Sequence, residues 1–175
     1  MTRTSLIALI ALAVALGCNK PAPKPKTSNA PPPPPGSGVQ ITEAGISLDG
    51  KQLTLPATTA QLTEILGQPD RTLDKANKIF VWDQRGIYAY CKKDRDEIHD
   101  ISFAFQKLEY DFAPSTSYTG PINVAGTPVS SATTEAELKQ AGFKLEYSSY
   151  EKAVGNRAVL VEYDGRAMGL SYSMP

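Results

Sequence analysis

The chain is poor in the residues that most often carry covalent chemistry. One histidine and two cysteines in 175 residues are too few for a usual transition-metal centre or a histidine-based acid–base system. No metal-ligand spacing, glycine-rich phosphate loop or nucleophile elbow is present, so no catalytic residue, metal or cofactor is expected and the chain reads as a non-enzyme. Aromatic residues make up only 8%, with a single tryptophan. The first 38 residues contain no acid, only Arg3, Lys20, Lys24 and Lys26 as charges, which leaves 14 bases against all 18 acids in the remainder, a net charge of about −4. A domain so charged repels phosphate backbones, so no nucleic-acid partner is expected. Length allows one ordinary domain or two very small ones.

What is present begins with an apolar run from Leu6 to Leu16, preceded by Arg3. This matches the basic and hydrophobic regions of a secretory signal and is too short to cross a bilayer, which takes roughly 20 residues. The run closes on Ala15-Leu16-Gly17-Cys18, which resembles the lipobox of bacterial lipoproteins. The resemblance implies residues 1–17 as signal peptide and Cys18 as the lipidated mature N-terminus, with the membrane as a partner through its acyl chains. An ordinary signal cut after Ala13-Val14-Ala15, leaving Cys18 as a thiol that could bond Cys91, is the other reading. By resemblance to enterobacterial sorting, Asn19 in place of aspartate implies the periplasmic face of the outer membrane.

Residues 18–38 then form a tether. Eight of the fourteen prolines fall in 19–38, which has no large apolar side chain and cannot join a packed core. As polyproline II, at roughly 3.1 Å per residue, such a segment would span about 60 Å. A spacer is the expected role; a proline-rich ligand for another protein is the alternative.

The rest reads as α+β. Ile46 and Leu48, the turn Asp49-Gly50, then Leu53 and Leu55 predict a hairpin with a type I′ turn. Thr58 and Thr59 are candidate caps for a helix over 60–66, with Leu62, Ile65 and Leu66 on one face and Gly67 as an αL C-cap. Strands are expected at 78–82, 86–91 and 98–105. The pattern recurs. Ile122, Val124, Gly126 and Val129 repeat Ile46, Leu48, Gly50 and Leu53 at an offset of 76, and Ala136 and Leu138 repeat Ala60 and Leu62, with Gly142 answering Gly67. Leu170, Tyr172 and Met174 repeat Ile101, Phe103 and Phe105 at an offset of 69. We therefore expect two tandem β-β-α-β-β(-β) repeats, 39–110 and 111–175, each too small to be stable alone. They should share a core or one continuous antiparallel sheet, covered on one face by the short helices. Alternation over 168–174 puts Met168, Leu170, Tyr172 and Met174 on the covered face, and Gly169, Ser171 and Ser173 on a shallow, open one.

The stretch Leu66-Gly67-Gln68-Pro69 after the helix resembles the signature of the small outer-membrane lipoprotein A and BamE family, and a tandem pair of such units resembles the β-lactamase inhibitor protein architecture. Asp49-Gly50-Lys51 together with Gly86-Ile87-Tyr88-Ala89-Tyr90 resembles an uncharacterised domain family of Gram-negative lipoproteins. These resemblances imply a binding or scaffold module.

Few residues suggest a site. His99 and Asp100 are adjacent on a predicted strand and should point to opposite faces, so a structural role outweighs a catalytic pair. Cys91 ends an apolar strand as a small buried hydrophobe. Asp94, Asp96 and Glu97 are interleaved with Arg95 and read as a solvated hairpin tip, with a calcium loop as the minor reading. Tyr88 and Tyr90 share a strand face opposite Ile87, Ala89 and Cys91, and Trp82 ends the preceding strand. Such rings favour interfaces, so Trp82, Tyr88 and Tyr90 are the candidate partner-binding residues, a core role being the alternative. The expected function is an outer-membrane-anchored lipoprotein that binds a protein partner or scaffolds the envelope. An inhibitor of a periplasmic or incoming enzyme, or a hydrolase using Asp/Glu pairs, are the rivals.

Overall fold

A computed structural model describes residues 38–174. The apolar run, Cys18 and nearly all of the tether lie outside the described residues. The first part of the chain forms β1 (Val39–Thr42), β2 (Gly45–Leu48), β3 (Lys51–Leu53), α1 (Thr59–Leu66), β4 (Arg71–Asp74), β5 (Lys78–Trp82), β6 (Ile87–Lys92) and β7 (Glu97–Ala104). The second forms β8 (Ile122–Val124), β9 (Thr127–Val129), α2 (Glu135–Gln140), β10 (Lys144–Glu146), β11 (Ser149–Val154), β12 (Arg157–Tyr163) and β13 (Ala167–Ser173). The chain is thus α+β, mostly antiparallel sheet with two short helices.

Local chemistry accounts for the turns and caps. Asp49 and Gly50 both carry positive φ, 51° and 79°, as a type I′ turn between β2 and β3 requires. Each helix opens with a capping box. The Thr58 hydroxyl accepts from the Gln61 amide while the Gln61 side chain accepts from the Thr58 amide, and Thr134 and Glu137 do the same for α2. Gly67 departs from the expected αL cap: its φ is 83° but its ψ is −178°, a region open essentially to glycine alone.

The strands fall into two sheets. The hairpins do not join the main sheet as expected; they build a separate five-stranded one in the order β3-β2-β1-β8-β9. Its central pair, β1 and β8, is parallel, so the arrangement is not wholly antiparallel. The large sheet has eight strands in the order β10-β11-β12-β13-β7-β6-β5-β4 and is antiparallel throughout. Strand β4 was not expected, because Arg71-Thr72-Leu73-Asp74 offers only one large apolar side chain.

The small sheet and both helices share one apolar cluster with the inner face of the large sheet: Ile41, Ile46, Leu62, Val124 and Leu138 are buried together with Ile101, Phe103, Val161, Leu170 and Tyr172. A second, smaller cluster lies on the outer face, where Leu108 and Phe112 cover Ile79, Val81, Tyr88 and Ala104. The outer face is therefore not open along its whole length as expected. Residues 108–113 lie across it at the β4–β7 end, and the chain then returns to the main core at Tyr118, which packs on Phe103. On that return, a Cβ on Gly86 would lie 2.2 Å from the Tyr118 amide nitrogen, so only glycine admits the chain there.

Candidate functional site

The outer face of the large sheet is where polar and aromatic side chains gather. On β6, Ile87, Ala89 and Cys91 point into the main core and Tyr88 and Tyr90 point outward, as alternation requires. The two tyrosine rings meet edge to face with centroids 5.8 Å apart. Phe112 sits against both, at 5.7 and 5.9 Å, and Tyr110 stacks on Phe112 at 5.2 Å.

Burial, on opposite faces of the sheet, corrects the placement expected for two of the three candidate aromatics. Trp82 is 2% exposed in the main core, where its Nε1 donates to the Gly67 carbonyl at 2.9 Å. Tyr88 is 5% exposed beneath Phe112. Neither offers a free contact surface. Tyr90 is half-buried. Cys18 lies outside the described residues, and Cys91 is buried with its Sγ near the Lys92 and Arg95 carbonyls.

The arrangement around His99 also differs from simple alternation. The β6–β7 register shifts between Tyr90 and Cys91, which leaves His99 without a paired residue. An extra residue of this kind resets the parity of a strand. Ile98 and Ile101 therefore both face the core, while the His99 ring lies beside Tyr90 with centroids 6.4 Å apart. Asp100 pairs with Tyr90 and shares its outer face, so His99 and Asp100 are not divided between opposite faces. A second shift, between Glu162 and Tyr163, makes Met168 the extra residue of β13. Met168 accordingly packs in the outer cluster and not with Leu170 and Tyr172.

Along the seam between β7 and β13, the outer face is floored by small groups. Ser102 pairs with Ser171, and Gly169 with Ala104. A Cβ on Gly169 would lie 3.0 Å from the Phe103 carbonyl oxygen, so the floor stays bare there. The Ser102 hydroxyl donates to Asp100 Oδ1 at 2.7 Å. Burial pushes the Asp100 carboxyl up to about 6, and the nearby Glu162 carboxylate adds to the rise. Glu162 is itself raised by partial burial, and Tyr90 is pushed up to about 12 for the same reason. Sequence reasoning anticipated the shallow serine row of β13 but not Asp100, Ser102, Glu162 or the covering Phe112. Only the bulges and the path of residues 105–121 bring these together.

Beyond the seam, the outer face of β11 and β12 has no such cover. A cavity of about 610 Å³ opens there, lined by Lys144, Glu146, Tyr147, Glu151 and Leu160 among others. The opposite end of the sheet is clamped. The Arg71 guanidinium holds Asp83 through Nε at 2.8 Å and Nη2 at 3.1 Å, and donates to the Asp111 and Ala113 carbonyls at 2.9 and 2.5 Å.

Among the described residues no group of three His, Cys, Asp or Glu side chains is placed to hold a metal ion. The acidic hairpin tip is dispersed: Asp96 accepts from the Thr59 amide at 3.0 Å, and Glu97 pairs with Lys92 at 3.3 Å. No helix of the described residues is long and apolar enough to cross a membrane.

An α+β module with this outer face is what the geometry defines. The chain belongs to the DUF7738 family, a domain of unknown function, whose family model matches residues 38–139, just over half of its length. No curated protein matches. Among solved structures, it is similar to an extracellular protein containing an SCP domain from Bacillus anthracis, at 10% identity and a TM-score of 0.48, over 69% of this chain and 44% of that one. A DUF4309 family protein from Bacillus subtilis gives 15% identity and a TM-score of 0.46 over 76% and 89% of the two chains. A cysteine-rich secretory protein from Staphylococcus aureus gives 15% and 0.37 over 69% and 44%. The chain thus spans less than half the length of the first and third of these proteins.

Proposed function

We propose that this chain is a lipoprotein moored through Cys18 at the periplasmic face of the outer membrane, and that its globular part is a protein-binding or envelope-scaffold module. The contact surface in this reading is the outer face of β11–β13. The observation that carries it is an asymmetry: residues 108–113 cover the outer face of the β4–β7 end, with Phe112 on Tyr88 and Tyr90, while Leu160, Glu151 and Glu146 line an open cavity at the other end. An open sheet face that mixes the apolar Leu160 with Lys144, Lys152, Glu146 and Glu151 suits a partner with apolar groups and charges of both signs.

The reading includes a tandem duplication and kinship with the BamE and β-lactamase-inhibitor modules. The duplication is supported by the pairing of equivalent residues: at the offset of 69, Ser102 matches Ser171 and faces it, Ile101 faces Tyr172, and Phe103 faces Leu170, which is the pairing of a local two-fold. Matching capping boxes, Thr58 with Gln61 and Thr134 with Glu137, recur at the offset of 76.

The test is a photo-crosslinking amino acid at position 160 in intact cells, with position 52 on the exposed β3 as control. A discrete adduct from 160 that 52 does not give supports the reading. No adduct, or the same adducts from both, overturns it. Mass spectrometry of the mature N-terminus tests Cys18 separately: an acylated Cys18 is expected, and an unmodified residue 16 there removes the anchor.

Hydrolysis by a carboxylate pair is the second reading, favoured by one observation: Asp100 and Glu162 are both raised. Turnover of an envelope glycan by the purified chain, abolished in Asp100→Asn, would favour it over binding.

A further inference from the structure

The two edges of the large sheet are treated differently. The β4 edge is wrapped, because Arg71 and Lys75 hold Asp111 and its neighbours against it. The β10 edge is bare, and all three of its residues are exposed. An unprotected strand edge is a template for another strand. Two of the three large apolar side chains exposed among the described residues sit here: Leu145 is 56% exposed and Tyr147, at the hairpin tip, is fully so.

We propose that β10 is a self-association edge, pairing antiparallel with β10 of a second copy of this chain around a two-fold axis at Leu145. The order Lys144-Leu145-Glu146 is self-complementary in that register. Each Lys144 lies opposite Glu146 of the other copy, so both charges are matched across the axis. Neither residue makes a salt bridge among the described residues of its own chain, where Lys144 stands opposite Glu151 and Glu146 opposite Ser149. The backbone is in phase as well. The β10–β11 turn closes on the pair Glu146 and Ser149, and backbone groups alternate between edges in an antiparallel ladder. Leu145 therefore directs its N–H and C=O to the open edge and meets Leu145 of the other copy in a reciprocal pair. The same register sets Tyr147 opposite Phe143, next to the cavity at Gly142. An isologous contact of this kind closes on itself and stops at two copies.

The experiment uses the full chain in intact cells, with oxidation and non-reducing electrophoresis. In an antiparallel ladder, opposite residues have Cα atoms about 5.5 Å apart in a hydrogen-bonded pair such as Leu145 with Leu145 and about 4.5 Å in a non-hydrogen-bonded pair such as Lys144 with Glu146, both within disulfide reach. Leu145→Cys should give a disulfide-linked dimer, and Gln140→Cys, exposed on α2, should not. Lys144→Cys and Glu146→Cys should each remain single when produced alone and crosslink when produced together. Lys144→Glu placed in the Leu145→Cys chain should lower the dimer yield at least ten-fold, and adding Glu146→Lys should restore it. A Leu145→Cys chain that crosslinks no better than Gln140→Cys overturns the proposal. So does a dimer whose yield ignores the charge reversal.

Discussion

Ser102 and Ser171 stand directly opposite each other where β7 meets β13, with their hydroxyl oxygens 2.7 Å apart. Because a hydroxyl has one proton and Ser102 gives its own to Asp100 at 2.7 Å, Ser171 must be the donor to Ser102. The polar run is directional: Ser171 to Ser102 to the Asp100 carboxylate. Replacing Ser102 by Ala breaks it in the middle. The variant should lose about 1–2 kcal/mol of stability and its Asp100 should titrate higher still, whereas Ser171→Ala should cost less than about 1 kcal/mol. Chemical denaturation and carboxyl NMR titration read both.

Asp100 gives the fold an inverted pH dependence at one position. Its folded pKa, about 6, lies above the ordinary value of 3.8, so ionisation favours the unfolded chain. The contribution is fully present below about pH 4 and is lost as the pH rises through 6. Asp100→Asn keeps an acceptor for Ser102 and cannot ionise. It should match the parent near pH 3.5 and exceed it by on the order of 1 kcal/mol at pH 7.5, less than the whole shift because water reaches part of the carboxyl. Parallel stability curves across that range would contradict this.

Arg71 fixes residues 105–121 with two bonds to Asp83 and two to backbone carbonyls. A lysine keeps the charge but not the planar fork. Arg71→Lys should therefore leave the main core intact, cost about 1–3 kcal/mol, and speed hydrogen exchange at the Thr116 amide, which is bonded to the Asp83 carbonyl at 3.2 Å. Unchanged exchange there would show that the aromatic packing of Phe112 alone holds the segment.

The buried aromatics lead to a prediction opposite to the one their spacing invites. Tyr88→Ala together with Tyr90→Ala should destabilise the domain by about 3–5 kcal/mol, since Phe112 loses the two rings beneath it and keeps only Tyr110. Trp82, the single tryptophan, should emit in the blue as a buried indole and resist iodide quenching. Trp82→Phe should cost about 1 kcal/mol through the orphaned Gly67 carbonyl.

Much of the fold is legible from local chemistry. Thr58 and the Asp49-Gly50 turn announce their elements because capping and positive φ are set by a few adjacent residues. Strand faces are legible only until a bulge intervenes: the shifts at His99 and Met168 leave no mark in apolar alternation. The path of residues 105–121 is set by long-range bonds from Arg71 and Asp83, which no periodicity reports. Trp82, Tyr88 and Tyr90 thus carry the same interfacial signature in sequence whether they meet a partner or the protein's own chain.

Strand β1 begins one residue after the described chain starts, at Val39, and lies in the middle of its sheet, antiparallel to β2 and parallel to β8. Any pull delivered through the preceding residues enters a central strand along its length. Its bonds to both neighbours would have to shear at once, where an outermost strand would peel one bond at a time. A domain moored through those residues, as proposed above, would take its load on that central strand.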